Sequence, residues 1–162
     1  MKRGVLLYLM ISYFEVFNKG RANARRIKFY SEKFDHIYVM CLGTPEISKK
    51  DNITYIIGNP FYWFQNRPKK VDYVKGTDFT FGGAVALLFS KWYKCPFVLR
   101  IGSPWLYALD TPVKFLKHFI TQFLKPIVLK SADKVVFNSK SIVPKYMENK
   151  SEIVYNGLCL NE

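Results

Sequence analysis

The chain has 162 residues, of which 49% are hydrophobic, and this composition is enough to bury the core of one domain. Lysine and arginine outnumber aspartate and glutamate by 25 to 12, so the formal net charge is +13 and we expect an anionic partner: nucleic acid, an anionic membrane surface or a phosphate-bearing substrate. The three cysteines are odd in number and lack zinc-site spacing, which excludes a disulfide framework or a zinc site and indicates a reducing cytoplasm.

Strand-like and helix-like segments alternate along the chain. Strands are predicted at residues 4–10, 36–42, 53–57, 71–75, 96–101, 134–137 and 152–155. Helices are predicted at about 20–34, 77–94, 112–125 and from 139 or 141 to 149, and the segment between the third and fourth strands is expected to be an irregular loop. Such alternation predicts the α/β class: a Rossmann-like, doubly wound, mostly parallel sheet of about seven strands with helices on both faces.

Two prolines are expected to set the limits of the helix at 112–125. Pro112 suits the first helical position, where its missing N–H is not needed. Pro126 is expected to end the helix, because a proline in a helix interior removes a hydrogen bond.

Signatures of common cofactor sites are missing from the sequence. The loop after the first strand has only Gly20, whereas a dinucleotide-binding turn needs three glycines. The chain also contains no G-x-x-x-x-G-K-[ST] phosphate loop, no Asp-x-Asp pair for a divalent ion and no Gly-x-Ser-x-Gly nucleophile turn. We therefore predict no bound cofactor and no metal, and the sequence nominates no catalytic residue.

The most specific motif lies near the end of the chain. Residues 131–139 read SADKVVFNS and residues 152–157 read EIVYNG. They resemble the end of the N-terminal domain of family 4 glycosyltransferases with the GT-B fold, in which an Ala-Asp pair precedes a strand ending in Ser and a later strand leads into Asn-Gly. The segments VDYVKG and CPFVLRIGSPW are similar to the middle strands of that domain, in the same order. The resemblance covers nearly the whole chain.

The resemblance implies a division of labour between two domains. In that family the N-terminal domain binds the acceptor, and the C-terminal domain holds the nucleotide sugar without a metal ion. By this comparison residues 1–157 form the acceptor-side domain, Asn156 and Gly157 form the interdomain hinge, and residues 158–162 begin the linker. A C-terminal GT-B domain or subunit would supply the donor site, so this chain alone is expected to be inactive.

The implied activity is transfer of a hexose-like sugar from a nucleotide sugar to a glycan or lipid-linked acceptor, with retention of configuration. Two features depart from the family pattern. Gly20 stands alone where many members have a Gly-Gly loop, and Gly102 or Ser103 stands where many members have a histidine. No role of that histidine is carried over to this chain.

Acceptor-binding candidates come from two loops, because ligands of parallel α/β sheets bind beyond the carboxyl ends of the strands. The candidates after the first strand are Ser12, Tyr13, Glu15, Asn18, Gly20 and Arg21, and those around the fifth strand are Arg100, Ser103, Trp105 and Asp110. Arg100 suits an acceptor phosphate, Trp105 a sugar ring and Asp110 sugar hydroxyls. The structural alternatives are an ion pair, a hydrophobic plug and a helix cap, respectively.

Two other interpretations remain open. The helix at 112–125 is basic and amphipathic, so Lys114, Lys117 and Lys125 either contact an anionic bilayer or form the solvated face of a helix packed on the sheet. The positive charge also fits a non-enzymatic module that binds nucleic acid or an acidic protein, although no recognised nucleic-acid-binding motif is visible. For a glycosyltransferase no nucleic acid is expected as a partner.

Overall fold

A computed structural model describes residues 4–12, 22–77, 81–102, 112–138, 143 and 151–153. The strands in these ranges are β1 (Val5–Ser12), β2 (His36–Leu42), β3 (Glu46–Lys50), β4 (Ile53–Ile57), β5 (Tyr73–Thr77), β6 (Phe97–Ile101), β7 (Lys134–Phe137) and β8 (Ser151–Ile153). The helices are α1 (Ala22–Lys33), α2 (Pro60–Gln65), α3 (Phe81–Tyr93) and α4 (Pro112–Ser131).

The strands form one sheet in the order β3-β4-β2-β1-β5-β6-β7-β8. Neighbouring strands are parallel, except that β3 runs antiparallel to β4 at one edge. The order reverses at β1, because β2 and β4 lie on one side of it and β5 to β8 on the other. The α/β class and the mostly parallel sheet are therefore confirmed, but the described part of the sheet has eight strands instead of about seven, because β3 was not predicted.

The central strand β1 is buried on both faces. Leu6, Leu7, Tyr8 and Leu9 are between 0% and 4% exposed. Since successive strand residues point to opposite faces, Leu7 and Leu9 join a core with side chains of α2, α3 and α4, whereas Leu6 and Tyr8 join a second core with Ile27 of α1. Within the described helices, none combines the length and the hydropathy needed to span a bilayer.

The prediction that Pro126 ends its helix was wrong, because α4 continues through this residue to Ser131. A proline inside a helix costs about 3 kcal/mol. The continued helix places Val128 and Leu129, both 0% exposed, in the core, and burial of two such side chains contributes roughly 3–6 kcal/mol. The burial therefore offsets the lost hydrogen bond.

The segment between β4 and β5 was predicted to be an irregular loop, but it contains the short helix α2. Asn59 caps this helix, since its Oδ1 accepts a hydrogen bond from the Tyr62 amide at 2.9 Å, and Pro60 occupies the first helical position. Trp63 is 1% exposed, and its Nε1 donates a hydrogen bond to the Cys41 carbonyl at 3.2 Å. The predicted helix at 139–149, apart from residue 143, lies outside the described residues.

Aspartates fix the amino ends of the strands. Asp72, just before β5, accepts a hydrogen bond from the Val5 amide at 2.8 Å. Asp133, just before β7, accepts one from the Phe97 amide at 2.7 Å. Each carboxylate satisfies the first amide of the neighbouring strand, so it connects two strands where the backbone ladder begins. Asp133 belongs to the Ala-Asp pair of the sequence motif, and in this structure the aspartate of that pair has a structural role.

We expect Gly76→Ala to lower the free energy of unfolding by about 2 kcal/mol, because β5 and α3 approach closely at this residue. A Cβ at position 76 would lie 2.9 Å from the Ala86 Cβ and 3.4 Å from the Gly83 Cα. Urea denaturation measures the loss. Adding Ala86→Gly restores the space, so the double variant should lose less stability than the sum of the two single losses. Additive losses would contradict the close contact.

Candidate functional site

Two basic side chains are buried in the central part of the sheet. Lys75 of β5 is 9% exposed and Arg100 of β6 is 8% exposed. In the sheet register Lys75 is opposite Tyr8, and Arg100 is opposite Thr77. Lys75 and Arg100 therefore point to the same face of the sheet, which is the face that α1 covers. Buried charges of this kind require specific partners, because burial disfavours the charged form.

Two tyrosines surround the amine of Lys75. Its Nζ donates a hydrogen bond to the hydroxyl of Tyr30 on α1. The same nitrogen lies 4.3 Å from the ring centroid of Tyr30 and 5.1 Å from that of Tyr8, so both rings make cation–π contacts with it. The two rings meet edge to face, with centroids 5.8 Å apart. The hydroxyl of Tyr8 is also buried, and the positive charge of Arg26 acts on it.

Asn138 orients the guanidinium of Arg100. The Nε and Nη2 of Arg100 donate hydrogen bonds to the Asn138 Oδ1 at 3.0 and 2.7 Å. The Nδ2 of Asn138 in turn donates to the Gly102 carbonyl at 3.0 Å. Asn138 follows β7 and Gly102 follows β6, so this network lies at the carboxyl ends of two adjacent strands. The network holds the guanidinium at the carboxyl ends of the strands, where α/β proteins bind their ligands.

The positive charges in this region act on one another. Burial lowers the pKa of Lys75 to about 7, and the nearby charges of Arg100 and of Arg26 on α1 add to this decrease. Burial and the charge of Arg26 also lower the pKa of Arg100. We call Arg26, Lys75 and Arg100 the basic cluster. An anion bound here would relieve the mutual repulsion and raise the pKa of Lys75, so the cluster is suited to bind a phosphate group.

The structure places only some of the predicted acceptor-binding residues. Arg100 belongs to the basic cluster, and Ser12 is the last residue of β1, opposite Leu42. The candidates that lie outside the described residues are Tyr13, Glu15, Asn18, Gly20, Arg21, Ser103, Trp105 and Asp110, together with the predicted hinge residues Asn156 and Gly157. Their role as ligand-binding or hinge residues stays a prediction.

The predicted membrane-surface lysines are all on α4. The side chains of Lys114 and Lys117 lie outside what the structure describes, and Lys125 is half-buried. Gly102, which stands where the family often has a histidine, provides its carbonyl to Asn138.

Sequence reasoning missed most of the basic cluster and its neighbours. Lys75 was included in a predicted strand, but no role was assigned to it, and Arg26 was not considered. A lysine inside an otherwise apolar central strand was a signal that could have identified Lys75. The contacts with Tyr8, Tyr30 and Asn138 had no local signal, because only the strand register and the position of α1 bring these residues together.

A concave region lies at the opposite, amino-terminal ends of the strands. This groove has a volume of about 390 Å³, and Lys70, Asp72, Tyr93 and Cys95 are among the residues that line it. Asp72 bonds the Val5 amide and forms an ion pair with Lys70 at 3.4 Å. The polar groups of this groove thus connect strands, and ligands of parallel sheets bind at the carboxyl ends of the strands. The basic cluster is therefore the better candidate site.

No convergent metal ligands are found in the ranges that the structure describes: nowhere there do three or more His, Cys, Asp or Glu side chains come together. Cys41 and Cys95 are free thiols. Burial raises the pKa of Cys41 to about 12 and that of Cys95 to about 11, so neither thiol forms a reactive thiolate at neutral pH. Comparison with known proteins gave no matching protein-family model and no significantly similar curated protein.

We expect Lys75→Met to remove a pH dependence of stability. Because the pKa of Lys75 is lowered to about 7 in the folded chain, only the unfolded chain carries this proton above that pH. The free energy of unfolding should rise with pH between about 7 and about 8.5, by up to about 1.4 kcal/mol per pH unit more in the wild type than in the variant. Urea denaturation at several pH values measures both slopes.

The control for this experiment is Lys50→Met, because Lys50 is exposed on the edge strand β3. The free energy of unfolding of this control should change with pH as steeply as that of the wild type. If Lys75→Met shows the same pH dependence as the wild type, Lys75 is not the group that titrates.

Proposed function

We propose that this chain is the acceptor-binding half of a metal-independent glycosyltransferase that acts in the synthesis of a polysaccharide or glycolipid. The observation that carries the proposal is the basic cluster, which lies next to the point where the strand order reverses between β1 and β5. In doubly wound α/β sheets the ligand crevice opens at such a reversal, beyond the carboxyl ends of the strands. The order of the seven parallel strands supports a Rossmann-like arrangement.

A phosphate on the acceptor fits this location. Asn138 orients the planar guanidinium of Arg100 through its Nε and Nη2, and a cationic guanidinium of this kind attracts phosphate. Lys75 has a pKa of about 7, so binding of an anion would favour its charged form and add a second cation. In this proposal the basic cluster binds the phosphate of a sugar-phosphate or lipid-linked acceptor and so positions the acceptor hydroxyl.

The chemistry of sugar transfer requires a second lobe. The acceptor hydroxyl attacks the anomeric carbon of an activated sugar, the diphosphate leaves with the electrons of the broken C–O bond, and the hydroxyl proton passes to an oxygen of the leaving diphosphate. In the proposed enzyme a C-terminal GT-B domain or subunit binds the nucleotide sugar and stabilises the leaving diphosphate with basic groups and helix dipoles. The proposed location is the cytoplasm, at the inner face of the membrane when the acceptor is lipid-linked.

We expect Arg100→Gln to weaken pyrophosphate binding by roughly tenfold or more, because it removes a positive charge that Asn138 holds in place. Isothermal titration calorimetry with pyrophosphate measures the affinity, and circular dichroism checks that the variant is folded. Lys50→Gln removes the same charge from an exposed position and should leave the affinity nearly unchanged. Equal losses in both variants would show that only net charge attracts the anion.

We also expect a nucleotide sugar such as UDP-glucose to bind this chain no more tightly than pyrophosphate does. The reason is that the groups proposed to recognise the base and the donor sugar belong to the second lobe. Calorimetry with both ligands tests the division of labour, and tight stoichiometric binding of the nucleotide sugar would refute it. Strong binding of generic DNA or RNA that falls steeply with salt would instead favour the non-enzymatic basic module.

A further inference from the structure

Helix α3 exposes a stripe of large apolar side chains. Phe81, Leu88 and Trp92 are 44%, 58% and 60% exposed. Their spacing of seven and four residues places them on one side of the helix. The neighbouring side, which includes Ala86 and Phe89, is buried against the sheet. The stripe is therefore an exposed flank of a helix whose core-facing side is already packed.

Helix α4 adds two more exposed apolar side chains to the same layer. Phe123 is 63% exposed and Ile127 is 54% exposed, and they are four residues apart on one side of the helix. Val128 and Leu129 of α4 join the same core cluster as Val85 of α3, so both helices cover the same face of the sheet. We call the outer apolar surface formed by Phe81, Leu88, Trp92, Phe123 and Ile127 the α3–α4 surface. Groups of large exposed apolar side chains mark interaction sites.

The charges around this surface have one sign. Helices α3 and α4 contain five lysines and no aspartate or glutamate. Lys91 and Lys130 are exposed beside the apolar side chains, and the guanidinium of Arg67 lies over the Trp92 ring at 4.6 Å. Interfaces with proteins are depleted in lysine, whereas lysine, arginine and tryptophan together are typical of the headgroup region of anionic bilayers.

We propose that the α3–α4 surface binds reversibly to an anionic lipid bilayer. The aromatic and aliphatic side chains enter the boundary between headgroups and acyl chains, while the lysines reach the lipid phosphates. The basic cluster lies on the other face of the sheet, beneath α1, so this binding does not depend on the proposed acceptor site. The α3–α4 surface also differs from the lysine face of α4 predicted from the sequence, because the α3–α4 surface is centred on the apolar stripe of α3.

Co-sedimentation with vesicles tests the proposal. The wild type should bind vesicles of phosphatidylcholine mixed with phosphatidylglycerol and should bind pure phosphatidylcholine much more weakly. Leu88→Gln/Trp92→Gln should lower the partition coefficient for the mixed vesicles by roughly tenfold, because two exposed apolar side chains no longer enter the bilayer. Ile47→Gln is the matched control, since Ile47 is a 45% exposed apolar side chain on the distant strand β3.

A second pair of variants separates local from overall charge. Lys91→Gln/Lys130→Gln should weaken binding to the mixed vesicles, whereas Lys49→Gln/Lys50→Gln, which removes the same charge from β3, should have a much smaller effect. Arg100→Gln should leave vesicle binding unchanged, so loss of the acceptor site and loss of the membrane surface can be told apart. Circular dichroism confirms that every variant is folded.

Three results would overturn the proposal. The first is a wild type that does not bind the mixed vesicles. The second is a Leu88→Gln/Trp92→Gln variant that binds them as well as Ile47→Gln does. The third is a concentration-dependent dimer, seen by analytical ultracentrifugation, that the same double variant abolishes, because this would assign the α3–α4 surface to a second copy of the chain.

Discussion

The burial of β1 on both faces is the constraint on which the rest of the fold depends. A strand with no contact to water needs helices above and below it, so the chain must cross the sheet on both sides. Helix α1 covers one face on the way to β2, and α3 and α4 cover the other face on the way to β6 and β7. Right-handed crossovers on opposite faces extend the sheet in opposite directions, and the strand order therefore reverses at β1.

The basic cluster lies beside this reversal of the strand order. A lysine and an arginine in adjacent central strands weaken the core, because apolar residues there would be buried without an electrostatic penalty. The tyrosine rings around Lys75 and the Asn138 amide bound to Arg100 offset part of that penalty. Buried charges whose penalty is only partly offset occur often at functional sites.

The sequence predicted best what local patterns determine. The seven parallel strands follow from apolar runs such as Ile53–Ile57, and their bounds were right to within about two residues. The edge strand β3 was missed because EISKK is mostly charged and exposed, so only its pairing with β4 shows it to be a strand. The end of α4 was wrong because distant packing of Val128 overrides a local helix breaker. Arg100 was nominated from its strand-end position, whereas Lys75 needed the register with Tyr8.

The aspartates at the amino ends of the strands have a consequence for how this domain can diversify. Asp72 and Asp133 hold adjacent strands together at the amino ends of the strands, opposite the carboxyl ends at which parallel α/β sheets bind ligands. The sheet is thus held together at the amino ends of its strands, where no ligand is expected. Natural variation or engineering can exchange the segments that follow the carboxyl ends of the strands and so alter which molecule is recognised. The hydrogen bonds that align the strands at their amino ends stay in place.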